Sequence, residues 1–247
     1  MYDKVAVYAG TRNIYEQMYV CLKSLLLNNK MDRVYLLIED DTYPYPLPDC
    51  VRGVNVSEQE FFEKDSPNYQ SPWSYMTMMR CALATMLPDE KRILWLDCDT
   101  IVDDDITDLF ALNMRGIFYA GVLEPKKSVD VFRYINAGVL LCNLEFLRLT
   151  GKEEELMGLL NSVRLNFVDQ DTINLLCQCR IRFIDSSYNS NPWTLPCNVP
   201  KVIHYATIRG DELKKQWAYK KYDKMSLFKG DDHDGTGFLV RQMRKAL

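Results

Sequence analysis

The chain has 247 residues, with 47% hydrophobic residues and a formal net charge of −4. That length suits one large domain with a substantial core, and the mild acidity argues against a general nucleic-acid binder. The charge is uneven, because Lys201–Leu247 carries 11 Lys/Arg against 6 Asp/Glu. The eight cysteines (21, 50, 81, 98, 142, 177, 179 and 197) form no CxxC pair, and several lie in apolar runs. They read as reduced thiols of a cytoplasmic protein. Met1–Gly10 reads as a short strand and turn, not a signal peptide, and no run has the length of a bilayer span.

In chain order, Lys4–Ala9 predicts a buried first strand, and Gly10–Asn13 a turn. Tyr15–Leu27 has apolar residues at helical spacing, and Arg33–Glu39 is a second apolar strand. Strand–helix–strand order points to a parallel α/β sheet. Asp40–Pro48 and Ser66–Trp73 are proline-bounded loops, and Val54–Val56 a short strand between them. The pattern then predicts a helix over 74–86, a strand over 92–96, and a short helix over 104–112 with an acidic first turn. Strands follow at 116–122 and 135–142, and helices at 145–163, interrupted by Gly151, and 169–178. Short strands at 182–185 and 201–205 and a weak helix from Val240 close the chain.

Residues 93–102, ILWLDCDTIV, end an apolar strand on two carboxylates one residue apart. Charges are costly to bury without a partner. In an extended chain Asp97 and Asp99 point to one side and Cys98 to the other. Open α/β sheets bind ligands at the carboxyl ends of their strands, so this pair suits Mg²⁺ or Mn²⁺ with a nucleoside diphosphate completing the shell. The alternative is an acidic surface loop or helix cap.

Four blocks together resemble glycosyltransferase family 8. They are MMRCALATMLP (78–88), ILWLDCDTIV (93–102), YINAGVLLCNLEFLR (134–148) and FVDQDTIN (167–174), in the family's order. The likeness spans Val5 to His204. It implies one GT-A domain over 1–247: an α/β, Rossmann-like, mixed but mostly parallel sheet flanked by helices, with 205–247 as a basic, aromatic C-terminal extension. It also implies a retaining transfer of a hexose, glucose or galactose, from a UDP-sugar to the hydroxyl of a glycan or glycolipid, with Mn²⁺ or Mg²⁺ as cofactor. Two alternatives keep the fold: a nucleobase or protein acceptor, or a degenerate sugar-nucleotide binder without turnover.

The resemblance assigns Asp97, Asp99 and His204 to the metal, although His204 alone reads as a core-edge histidine. It assigns Asp169 to donor-sugar hydroxyls and Gln170 to the anomeric centre as the catalytic pair; both also read as helix N-caps. Ala9, Thr11, Asn13, Tyr15, Arg80, Asp97, Cys98, Asp99, Asn136, Ala137 and Gly138 complete the expected donor site. Asn136 would bind sugar hydroxyls, and small residues at 137–138 would let a ligand approach the backbone, with a bulge as the plain reading of Gly138. Arg80, in an otherwise apolar helix, needs a partner, either the diphosphate or a salt bridge. Tyr15 would stack on the base or simply start its helix in the core.

Two departures stand out. Thr11 and Arg12 lie where the family carries acids, and of the family's C-terminal H-x-x-G-x-x-K-P-W only His204 is in place, with Lys214, Lys215 and Trp217 later. Front-face attack is the expected route, because an amide such as Gln170 is a poor nucleophile. Residues 214–229 hold six lysines among four aromatic rings. That suits peripheral contact with an anionic inner membrane face, an acidic acceptor or nucleic acid, or a surface segment with a few buried rings.

Overall fold

The computed structural model describes residues 3–71, 73–128, 132–206 and 217–227. β1 (Val5–Gly10), β2 (Arg33–Ile38) and β3 (Val51–Asn55) run parallel, and β4 (Ile93–Leu96) joins β1 in parallel. β7 (Ile135–Cys142) then pairs antiparallel with both β4 and β6 (Tyr119–Leu123), and β8 (Ile181–Ile184) closes the far edge parallel to β6. The sheet order is β3-β2-β1-β4-β7-β6-β8, a mixed and mostly parallel sheet as expected. β4 and β7 are buried along their whole length, so their near-continuous apolar sequences fit strands covered on both faces.

α1 (Tyr15–Asn28) packs on one face. On the other lie α2 (Leu83–Met86), α3 (Leu144–Thr150), α4 (Lys152–Ser162) and α5 (Val168–Cys177). The interruption expected at Gly151 within 145–163 separates two helices, because Gly151 adopts φ +64 and closes α3 in a left-handed turn.

Two expectations need correction. The helix predicted over 74–86 is a 3₁₀ stretch, Tyr75–Cys81, followed by the single turn of α2. Met76, Met78, Met79, Arg80 and Cys81 are all buried, so packing on every side sets this geometry rather than an amphipathic period. Residues 104–112 likewise form only a 3₁₀ turn, Thr107–Ala111.

A second sheet was not foreseen. β5 (Thr100–Val102) pairs antiparallel with β9 (Val202–His204), opposing Thr100 to His204. α6 (Trp217–Asp223) braces it. Tyr219 and Tyr222 are buried with Val20, Leu27, Ile101 and Tyr205. Lys221 reaches Asp103 at 2.5 Å, and the Tyr222 hydroxyl donates to the same carboxylate at 2.7 Å. These two rings follow the buried reading of the 214–229 segment. Lys214, Lys215, Phe228, Lys229 and the helix expected from Val240 lie outside the described residues, as does the side chain of Trp217. Among the described residues no helix is long and apolar enough to cross a membrane.

Truncating a fully buried aromatic leaves a cavity worth about 3–5 kcal/mol. Tyr222→Ala should lower unfolding free energy by about that much in urea titrations followed by circular dichroism.

Candidate active site

At the carboxyl ends of β1 and β4 and the start of β7 the structure opens a cleft of about 1090 Å³. Asp97, Asp99 and His204 meet there, each offering a ligand atom, with all three atoms within 4.8 Å of one another. The carboxylates converge by a route the sequence did not suggest. β4 stops at Leu96, and Asp97–Thr100 is a tight turn in which Thr100 N donates to Asp97 O at 3.1 Å. The turn, not strand alternation, gathers the pair. Cys98 does face away, its thiol donating to Ala9 O at 3.2 Å.

His204 arrives through the β5–β9 ladder, and Tyr205 N donates to Asp99 O at 2.9 Å. Its Nε2 lies 3.2 Å from Asp99 Oδ1 and 3.8 Å from Asp97 Oδ2. Its Nδ1 lies 2.8 Å from Asn189 Oδ1. Burial pushes the imidazole pKa down, but the Asp99 charge and hydrogen bond reverse this, and the net shift is upward. Burial in turn raises the Asp99 carboxyl and His204 pulls it below its usual range. Gly138 makes room for the ring: a Cβ there would lie 2.1 Å from His204 Cε1. Two carboxylates and an imidazole nitrogen, cradled against a glycine, form a donor set that fits Mn²⁺ or Mg²⁺.

Arg80 is almost fully buried behind this site, 2.8 Å from Asp97 Oδ1 and 3.0 Å from Asp169 Oδ2. It also donates to Thr77 O and Ala137 O and lies over the Trp95 ring. The salt-bridge reading of Arg80 therefore holds, and the residue lines the cleft as well. Trp95 Nε1 donates to the same Asp97 oxygen at 2.7 Å, so Oδ2 is the oxygen turned to the histidine. Burial pushes Asp169 up to about 6, against the pull of Arg80 and with the repulsion of Asp97.

α5 explains the DQDTIN block. Ala137 N donates to Gln170 Oε1 at 2.9 Å, and Ile135 N to Asn174 Oδ1 at 2.8 Å. One turn of helix thus caps backbone donors of β7 that no neighbouring strand satisfies. Neither Asp169 nor Gln170 caps the helix; Asp171 instead accepts from Phe167 N at 2.8 Å. Val168, just ahead of the pair, holds φ +36, a conformation costly for a β-branched residue. Asn136 turns its Oδ1 inward to Gly138 N and donates to Glu124 Oε1 at 2.6 Å, keeping one N–H beyond those contacts.

Of the expected donor residues, Ala9, Arg80, Asp97, Cys98, Asp99, Asn136, Ala137, Gly138, Asp169 and Gln170 line one cleft. Thr11, Asn13 and Tyr15 do not. The Thr11 hydroxyl bonds Asn13, while Tyr15 is buried beside Tyr43 and its hydroxyl accepts from Glu39 N at 3.1 Å. Tyr15 follows its core reading, with no ring face left for a base. Glu124, Lys127, Trp73, Phe167, Trp193 and Asn189 were missed. Each stands in a stretch without periodicity, and only tertiary structure brings them to the site.

The profile described as glycosyl transferase family 8 matches residues 6–219. The chain belongs to that family. Glycosyltransferase GlyA of Streptococcus pneumoniae serotype 4 is a relative, 26% identical over 228 residues that cover 83% of this chain and 32% of GlyA. Among solved structures, GlyE of Streptococcus pneumoniae TIGR4 superposes with a TM-score of 0.69 at 21% identity, over 92% of this chain and 61% of that one. The galactosyltransferase LgtC, solved with donor and acceptor sugar analogues, gives 0.62 at 18% identity, over 88% and 93%. The family 8 fold is thus the GT-A architecture that the sequence implied. The chain spans about a third of the length of GlyA and about three-fifths of GlyE.

Gly138→Ala should expel the imidazole from its cradle. Mn²⁺ affinity by calorimetric titration should fall at least about tenfold while the far-ultraviolet circular dichroism spectrum stays unchanged.

Proposed function

We propose that the chain is a retaining, metal-dependent glycosyltransferase that moves a hexose from a UDP-sugar to a glycan hydroxyl. The observation that carries this is the convergence of Asp97, Asp99 and His204 on one cleft beside the Arg80–Asp169 pair. Family membership and the shared fold with LgtC and GlyE support it.

Asp97, Asp99 and His204 would hold Mn²⁺ or Mg²⁺, which would supply Lewis-acid neutralisation of the departing diphosphate. Asp97 is held in orientation by Arg80 and Trp95. Asp169, already ion-paired to Arg80, accepts from donor-sugar hydroxyls, and Asn136 offers its remaining N–H. Gln170 is held by Ala137 N and is the amide that would face the anomeric carbon. An amide is a poor nucleophile, so the acceptor attacks from the face the diphosphate leaves. The eight free thiols support a reducing, cytoplasmic setting.

The cleft also favours a carbohydrate acceptor over a protein or a nucleobase. Trp73, Phe167 and Trp193 line it, each between 42% and 46% exposed. Lys127 lies over the Phe167 ring and Lys126 over the Trp193 ring, both within 6 Å. Exposed aromatic rings present flat apolar faces flanked by hydrogen-bond donors, the surface that the C–H face of a pyranose needs.

Asp99→Asn should reduce Mn²⁺-dependent release of UDP from UDP-glucose or UDP-galactose at least about a hundredfold; unchanged release would remove the metal role. Trp193→Ala should raise KM for alkyl glycoside acceptors and leave donor hydrolysis near its original rate. Equal loss in both assays would take Trp193 out of the acceptor site.

A further inference from the structure

Behind His204 runs a line of buried amides whose direction is set at its far end. Glu124, 2% exposed, pairs with Lys127 at 3.2 Å, and its carboxylate can only accept. Asn136 must therefore turn Nδ2 toward Glu124 Oε1, at 2.6 Å. The backbone N–H of Gly138, a donor that cannot be reversed, holds Asn136 Oδ1 at 2.9 Å and requires the same orientation. Asn189, fully buried, then has to offer Nδ2 to Asn136 Oδ1, at 2.7 Å. That leaves its Oδ1 for His204 Nδ1, at 2.8 Å. Asn191 Nδ2 makes its shortest contact to the same Asn189 oxygen, at 2.9 Å, and stands farther, 3.5 Å, from His204 Nδ1.

We propose that Asn189 is a positioning residue for the cation site: relaying the polarity set by Glu124 and Gly138 through Asn136, it holds the His204 proton on Nδ1. The Nε2 lone pair is thereby committed to the space shared with Asp97 and Asp99. Nε2 and Asp99 Oδ1 lie 3.2 Å apart, a spacing that lets one cation take both when the nitrogen carries no proton. Left to itself, the ring would put its proton on Nε2, donate it to Asp99, and remove the nitrogen ligand. The second nitrogen of a ligating histidine is ordinarily held this way by a carbonyl or carboxylate, and losing that partner costs about 10–100-fold in metal affinity. Here an amide does it, and an amide has two ends, so its orientation has to be imposed from elsewhere.

The inference rests on the metal reading above but is separable from it. The chain has two histidines, His204 and His233, so long-range proton–nitrogen correlation spectra contain two rings, and His233→Gln assigns them. At alkaline pH without metal, and again with Mg²⁺ bound, His204 in the unsubstituted protein should be the Nδ1–H tautomer. Asn189→Leu should shift the metal-free ring to Nε2–H and weaken Mn²⁺ binding about tenfold or more. Asn189→Asp, which keeps an acceptor for Nδ1–H, should restore the tautomer and most of the affinity. An Nε2–H ring in the unsubstituted protein overturns the relay even if Asn189→Leu fails to fold. So does an Asn189→Leu variant with unaltered tautomer and Mn²⁺ affinity. If the unsubstituted protein binds Mn²⁺ with the wrong tautomer, only the relay falls; if it binds no Mn²⁺, the metal reading falls and the relay with it.

Discussion

The pairing of β5 with β9 is the constraint on which the site depends. More than a hundred residues separate Asp99 from His204, and closing such a loop costs conformational entropy before any contact rewards it. Three residues on each side do the work, with Thr100 opposite His204 and Tyr205 N bonded to Asp99 O. So short a ladder is not stable alone. It is held by the burial of Ile101 and Val102, the Ser24 hydroxyl accepting from Val102 N at 2.9 Å, and the aromatic cluster of α6. Asp97, Asp99 and His204 therefore borrow their rigidity from apolar packing on the far side of the sheet.

Electrostatics follow from the same geometry. Four titratable groups, Asp97, Asp99, Asp169 and His204, crowd one cleft with Arg80 as the buried cation among them. Removing one member of such a set leaves the others uncompensated, which costs more than any single pair contributes. Arg80 has further fixed partners in two backbone carbonyls, so its position does not depend on ligand. It is a preformed part of the floor, and Asp169 is held with it in a state that can accept hydrogen bonds.

Much of this was legible in the sequence. The bounds of β7, read from INAGVLLC, match the structure, and the acids of DCD lie where a sheet would place a ligand. Legibility failed where geometry is imposed from outside the segment. TIV is too short to announce a strand, and the 3₁₀ stretch around Arg80 is shaped by burial on all sides. Asn189 stands in SSYNSN, a polar run that reads as a surface turn, yet that asparagine is fully buried. Glu124 precedes a Pro-Lys-Lys turn and looks like an exposed charge. Buried polar residues leave no periodic trace, and these two support the site from behind.

Asp103 follows β5 and takes both Lys221 and Tyr222 of α6, while Lys23 of α1 bonds the Asp223 carbonyl. α6 is thus latched to the end of the short strand that begins just after the second aspartate. Any partner that pulls on the lysine-rich segment would load that latch, and the strain would arrive at the ladder beneath Asp99 and His204. Remote engagement and catalytic competence would then be mechanically linked through a single carboxylate.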